Sequence, residues 1–222
     1  FFDVANTMEG VISLGVGEPD FETPWHVREA AISSLEKGYT SYSSNTGMIE
    51  LRKAIASYLD EKYSISYDPE HQILVTIGAS EGIDISLRAI INPGDEVLVV
   101  EPSYVSYKPC VSMCGGVPIP VVTYEENNFK VTPDEILNKI TPKTKAIILP
   151  YPNNPTGGIM EIDDLAAISK VIIENDLLVI SDEIYSELTY GSQHVSIASL
   201  PGMYERTIVL NGFSKAFAMT GW

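Results

Sequence analysis

The chain has 222 residues, with 14 Lys+Arg against 30 Asp+Glu and a formal charge of −16. That acidity excludes sequence-independent nucleic-acid binding, which rests on basic side chains neutralising phosphates. With 45% hydrophobic and 20% charged residues the chain is too apolar for disorder, and no apolar run approaches the ~18 residues of a membrane-spanning helix.

The length fits between one and two domains. The Phe1-Phe2-Asp3 start shows no basic stretch leading into an apolar segment and a small-residue cleavage site, so a cytoplasmic protein is expected. The chain begins without Met and stops at Met219-Thr220-Gly221-Trp222, directly after a motif-like stretch, so truncation is expected. Cys110 and Cys114 lie four apart; on a helix both would point the same way, a poor disulfide geometry, and reduced thiols are expected. His26, His71 and His194 are scattered away from this pair, so no metal site is expected.

In chain order, Leu51, Ile55, Tyr58 and Leu59 mark a helical stripe, and residues 73–77 read as a strand. A second stripe follows at Ile83, Leu87 and Ile90, then a strand at 97–100. Thr132-Pro133-Asp134-Glu135 combines a capping box with Pro at the first helical position, so a helix starts there. A strand at 146–149, a stripe at Leu165, Ile168 and Ile172, and strands at 177–181 and 207–210 complete the pattern. Short Val- and Ile-rich runs alternating with helices predict an α/β three-layer sandwich around a mostly parallel central sheet. Ligands collect at the carboxyl ends of such strands.

The residues that follow each strand are therefore the informative ones. Gly78-Ala79-Ser80-Glu81-Gly82 matches the G-x-S-x-G elbow of α/β-hydrolases, with Asp182 and His194 following in order. No strand is read before residue 73, and His194 lies only twelve residues past Asp182, which weighs against a serine hydrolase using Ser80. A small-residue turn into a helix N-terminus would instead offer backbone N–H groups to a phosphate, although such residues also merely tighten turns.

The other strand ends supply what an aldehyde cofactor with an aromatic nitrogen requires. Lys215 is an amine in a small, apolar setting, suited to a Schiff base. Asp182 follows a buried strand and would hold a ring nitrogen protonated. Tyr185 and Asn154 can hydrogen-bond a ring oxygen, and Tyr104 can stack on the ring. Singly, each residue has a dull alternative as a surface charge, a helix cap or a core aromatic.

Gly17-Glu18-Pro19-Asp20, Tyr39-Thr40-Ser41-Tyr42 with Gly47 and Leu51-Arg52, Asn153-Asn154-Pro155-Thr156-Gly157, Asp182-Glu183-Ile184-Tyr185 and the run from Ser214-Lys215 to Gly221-Trp222 occur in that order. In this the chain resembles the pyridoxal-phosphate aminotransferases of fold type I, class I/II, closest to the aspartate and aromatic branch. The resemblance implies a cofactor-binding large domain over 25–222, incomplete at its C-terminal end, preceded by an N-terminal segment, 1–24, on the side of a small domain that is absent. It further implies that Lys215 forms the Schiff base and moves the proton, that Asp182 pairs with the ring nitrogen and that Tyr185 and Asn154 hold the ring oxygen. Tyr104 would stack, Ala79, Ser80 and Ser214 would bind the phosphate, and Gly17, with Asn154, would contact the substrate. Tyr42 would reach across a homodimer interface to the partner subunit's phosphate. The partners implied are an amino acid and a 2-oxo acid, with no nucleic acid and no membrane. A carbon-sulfur lyase and a non-catalytic cofactor-binding module are the alternatives on the same fold.

Two departures stand out. Gly212 takes the place where many relatives carry a hydroxyl residue, and the family's next arginine and its later carboxylate-binding arginine lie beyond Trp222. A bidentate Arg–carboxylate pair both binds and orients. A protein of residues 1–222 alone is therefore expected to show no transamination in a standard assay with amino acid and 2-oxo acid.

Overall fold

The computed structural model describes residues 17–222, together with Thr7 and Gly10. The expected N-terminal segment, 1–24, thus lies largely outside the described residues. Five strands, β1 (Glu96–Glu101), β2 (Val117–Val122), β3 (Thr144–Leu149), β4 (Leu178–Asp182) and β5 (Thr207–Leu210), form one sheet in the order β2-β1-β3-β4-β5. Every pairing is parallel. The helices are α1 (Trp25–Glu36), α2 (Ile49–Tyr63), α3 (Gly78–Ile90), α4 (Tyr107–Met113), α5 (Pro133–Leu137), α6 (Ile162–Glu174) and α7 (Phe213–Ala216).

Alternation along each strand divides the core. Val97, Val99, Ala146, Ile148 and Ile180 face Ile83 and Leu87 of α3 and Val111 of α4. Leu98, Val100, Ile147, Leu149 and Val179 face Ile136 of α5 and Leu165, Ile168 and Ile172 of α6. Both faces are covered, which is why the central strands read as unbroken apolar runs. Each Val, Leu or Ile among these contributes roughly 1.5–3 kcal/mol of burial, and the expected three-layer architecture follows.

The direction of winding reverses within the sheet. The chain leaves β1 for β2 on one side, then crosses back to β3 on the other side of β1 and continues to β4 and β5. The reversal between β1 and β3 opens a crevice at their carboxyl ends.

One sequence expectation needs correction, and one strand went unread. Residues 73–77 are not a strand: Val75 N–H donates to Thr46 O at 3.1 Å, in the loop before α2, and Leu74 and Ile77 are exposed. That loop seals against the run, since a Cβ on Gly47 (φ +92°) would fall 2.5 Å from Val75 Cγ2. Conversely, β2 escapes a propensity reading because Pro118 and Pro120 interrupt it. The odd positions face β1, with Val117 N–H donating to Asp95 O and Thr123 N–H to Glu101 O, both at 2.8 Å. The prolines therefore occupy positions whose nitrogens point away from the sheet, and β2 is its edge.

The capping box at Thr132 is present, with Glu135 N–H donating to Thr132 Oγ1 and Thr132 N–H to Glu135 Oε2, although α5 lasts only five residues. Cys110 is buried in α4 and Cys114 caps it; both are free thiols, and burial pushes their pKa values up. Among the described residues no cluster could hold a metal and no helix is long and apolar enough to cross a membrane. Leu98→Ala, which removes a side chain fully buried in β1, should lower unfolding free energy by about 2–5 kcal/mol in urea titrations. Leu137→Ala, on the exposed side of α5, should change it by less than about 0.5 kcal/mol.

Candidate active site

The crevice between β1 and β3 is tied across its mouth by Asn153. Its side-chain amide donates to Pro102 O, beyond β1, at 3.1 Å, while its Oδ1 accepts from Thr156 N–H and Thr156 Oγ1. Asn153 N–H donates to Gly158 O and Gly157 N–H to Asn153 O, both at 2.9 Å. These bonds fold residues 153–158 into a closed loop, and Asn154 sits at its start, half-buried. On the other side of the crevice Tyr104 stacks edge-on against Tyr107, with ring centroids 5.7 Å apart and an interplanar angle of 79°.

Asp182 ends β4 on the same face as α3 and α4 and is only 5% exposed. Its Oδ2 accepts from Tyr107 Oη at 2.8 Å and its Oδ1 from Ile184 N–H at 3.2 Å. Burial raises the carboxyl's pKa, and these two donors oppose the rise without abolishing it. The buried Tyr107 phenol is likewise pushed up by desolvation and by the carboxylate it faces, so it remains a donor. The site thus holds a buried carboxylate with neutral partners only, an arrangement completed electrostatically by a cationic N–H. Burial raises the Tyr185 phenol, with the adjoining Asn154 amide acting in the opposite sense.

Lys215, in α7 after β5, places Nζ 5.8 Å from the centre of the Tyr185 ring and donates to Gly17 O. The segment from Gly17 to Thr23 is laced to the chain beyond Lys215: Thr23 Oγ1 donates to Ala218 O at 2.5 Å and Trp222 Nε1 to Thr23 Oγ1 at 3.0 Å. Residues nearly two hundred positions apart therefore meet at the amine. Ser214 is half-buried beside it.

Ala79 and Ser80 occupy the first turn of α3, where helix N–H groups lack intrahelical acceptors. The two glycines of the Gly78–Gly82 pattern have backbone reasons. Gly78 takes φ +71°, and a Cβ on Gly82 would stand 3.0 Å from Leu210 Cδ2, so the turn lies against the end of β5. The hydrolase arrangement is not formed: Asp182 bonds Tyr107, whereas His194 Nε2 bonds Glu183 Oε2 at 2.8 Å. Tyr42 stands fully exposed between α1 and α2 and makes no hydrogen bond or ring contact with the other candidates among the described residues. Arg52 is buried and committed to the carbonyls of Gly47, Pro69 and Glu70.

The family model for aminotransferase class I and II matches residues 9–222. The chain belongs to this family. Among class I and II aminotransferases, the aspartate aminotransferase of Pyrococcus abyssi is 50% identical over all 222 residues, and aromatic-amino-acid aminotransferase 2 of Thermococcus litoralis is 49% identical. The crystal structure of an aromatic aminotransferase from Pyrococcus horikoshii superposes with a TM-score of 0.95 at 48% identity, covering 97% of this chain and 58% of its own. The chain spans 57% of the length of each of the two curated relatives.

Class I and II aminotransferases use pyridoxal phosphate, and the donor set fits it: an amine, a buried carboxylate, a phenol and an amide around one crevice, beside a helix start suited to phosphate. Tyr107, which lies in a stretch with no family motif, and Asn153, whose neighbour attracted the reading, are the contributors that the sequence left unnoticed. A second tyrosine three positions beyond Tyr104, at the start of α4, was the available signal.

Because the folded chain holds the Asp182 proton more tightly than the unfolded chain, this carboxyl favours the fold most at low pH. That contribution declines as pH rises through the unfolded value of about 3.9 and on to the higher folded one. Asp182→Asn removes that slope. Thermal melts of the cofactor-free variant should match or exceed the unsubstituted protein at pH 7, while pyridoxal-phosphate titration should show weaker binding.

Proposed function

We propose that this chain is the cofactor-binding part of an aminotransferase that moves an amino group between an L-amino acid, of aspartate or aromatic type, and a 2-oxo acid. The observation that carries this reading is the convergence of Lys215, Tyr185 and Gly17 at one point of the crevice that Asp182 and Asn154 line. Pyridoxal phosphate, when bound, supplies an electron sink that stabilises negative charge at the substrate Cα.

The chain's own residues divide the remaining work. The Asp182 carboxylate keeps a protonated ring nitrogen in place by charge, and Tyr107 and Ile184 orient its two oxygens. Asn154 Nδ2 and Tyr185 Oη hold the ring oxygen, and the Tyr104 ring covers one face. The N–H groups of Ala79 and Ser80, with the Ser80 and Ser214 hydroxyls, bind the phosphate at the positive end of α3, and Tyr42 serves the partner subunit of a homodimer. Lys215 Nζ moves the proton from substrate Cα, and the Gly17 backbone receives the substrate carboxylate close by. A cytoplasmic location accords with this metabolic role.

Borohydride reduction of the intact protein loaded with pyridoxal phosphate, followed by peptide mass spectrometry, should place the pyridoxyl group on Lys215. Lys215→Ala should remove the adduct and lower transamination by at least roughly 10²-fold. Predominant release of pyruvate from cystathionine would instead establish the lyase, and labelling of Ser80 by a serine-directed probe without any pyridoxyl adduct would establish the hydrolase.

A further inference from the structure

The residue after Asp182 is a second acid, and it turns the other way. Glu183 is 1% exposed on the opposite face of the sheet, the face that carries Val179 of β4 and Ile147 and Leu149 of β3. Its Oε1 accepts from Ser181 Oγ at 2.9 Å and from Ser196 Oγ at 2.8 Å, and its Oε2 takes His194 Nε2–H at 2.8 Å. The His194 side chain is itself 8% exposed and packs edge-on against Tyr63 of α2, with ring centroids 5.5 Å apart at 88°.

A carboxylate is a costly choice at such a position, because an apolar side chain of similar volume would pack against the surrounding core with no desolvation penalty. What the carboxylate adds is direction: three donors from three chain positions converge on two oxygens. The backbone on either side is pinned as well. Glu183 N–H donates to Leu210 O of β5 at 2.8 Å, and Ser186 N–H closes the turn onto Glu183 O at 2.9 Å. Ser186 Oγ accepts from Asn211 Nδ2, which lies on the segment leading to Lys215. Beyond the turn, Glu187 accepts from Tyr58, Lys62 and Tyr63 of α2. Asp182 and Tyr185 therefore ride on a turn whose two glutamate side chains, Glu183 and Glu187, are anchored away from the crevice.

We infer that Glu183 and His194 are positioning residues: their buried pair, on the far face of the sheet, fixes the turn that aims Asp182 and Tyr185 at the cofactor ring. This rests on the aminotransferase reading above. If the pair is broken, Glu183 loses one of its three donors, and the turn can relax only by moving the backbone that Asp182 shares with it.

The test compares His194→Phe, which keeps a ring against Tyr63 without a donor, with His194→Gln, which keeps an N–H donor, and with exposed Gln193→Ala as control. In the intact protein, well below each variant's melting temperature, His194→Phe should raise the dissociation constant for pyridoxal phosphate at least ~10-fold. It should also shift the pH midpoint of the bound cofactor's visible absorbance. His194→Gln should return both within ~3-fold or to the original midpoint, and Gln193→Ala should change neither. Should His194→Phe fail to fold, Ser196→Ala, which removes a single donor, is expected to weaken binding in the same direction. Unchanged affinity and midpoint in His194→Phe, or in Ser196→Ala in its place, would overturn the inference even if the melting temperature falls. No pyridoxal-phosphate binding by the unsubstituted protein would instead remove the aminotransferase reading, and this inference with it.

Discussion

All five strands of the sheet run in one direction, so each returns its chain to the surface at the same edge. Parallel hydrogen bonding forces this, because a strand can rejoin the sheet only after a crossover over one of its faces. The segments after β1, β3, β4 and β5 consequently have to share one neighbourhood, however far apart they lie in sequence. The reversal of winding between β1 and β3 parts the first two of these segments, and Asn153 bridges the gap to Pro102 O without closing it.

Within that edge, two consecutive carboxylates illustrate how a pleat separates tasks. Asp182 faces α4, receives neutral donors and is left short of positive charge. Glu183 faces away, receives three donors and is complete within the chain. A one-residue slip of β4 would exchange these environments and place the satisfied acid toward the crevice and the unsatisfied one in the apolar layer. The pairing of Ser181 with Val209 and of Asp182 with Leu210 keeps that from happening.

How much of this could be read from the residues depended on whether the signal was local. Ile147 to Leu149 and Leu165 to Ile172 carry their periods in their own neighbourhood, so the buried strands and the helices α2, α3 and α6 were legible, as was the position of Asp182, Asn154 and Lys215 at strand ends, whereas the twelve-residue α1, which buries none of its residues, went unread. Residues 73–77 have the composition of a strand, yet their partner turned out to be the loop at Thr46, and no local pattern specifies a partner. The prolines of β2 argue against a strand only for an interior position; at an edge they are harmless, and edge position is a property of the whole sheet. Tyr107 was silent and His194 was read only with Asp182, the wrong acid, because a tyrosine at the start of a short helix and a histidine in a loop acquire meaning only from the acids that the fold brings to them.

The same two prolines bear on how the molecule behaves among copies of itself. An outermost strand ordinarily offers a row of N–H groups and carbonyls on which another chain can lay a strand of its own. Along β2 that outer row lacks its donors at Pro118 and Pro120, since those two outward nitrogens carry no hydrogen, and Val122 alone of the strand's outward positions keeps an N–H. A visiting strand would find acceptors without the alternating donors it needs to dock. The sheet is thereby blunted against growth by strand addition on this flank, a safeguard against aggregation built into a segment whose other residues, Val and Ile, are those that most readily form β-structure.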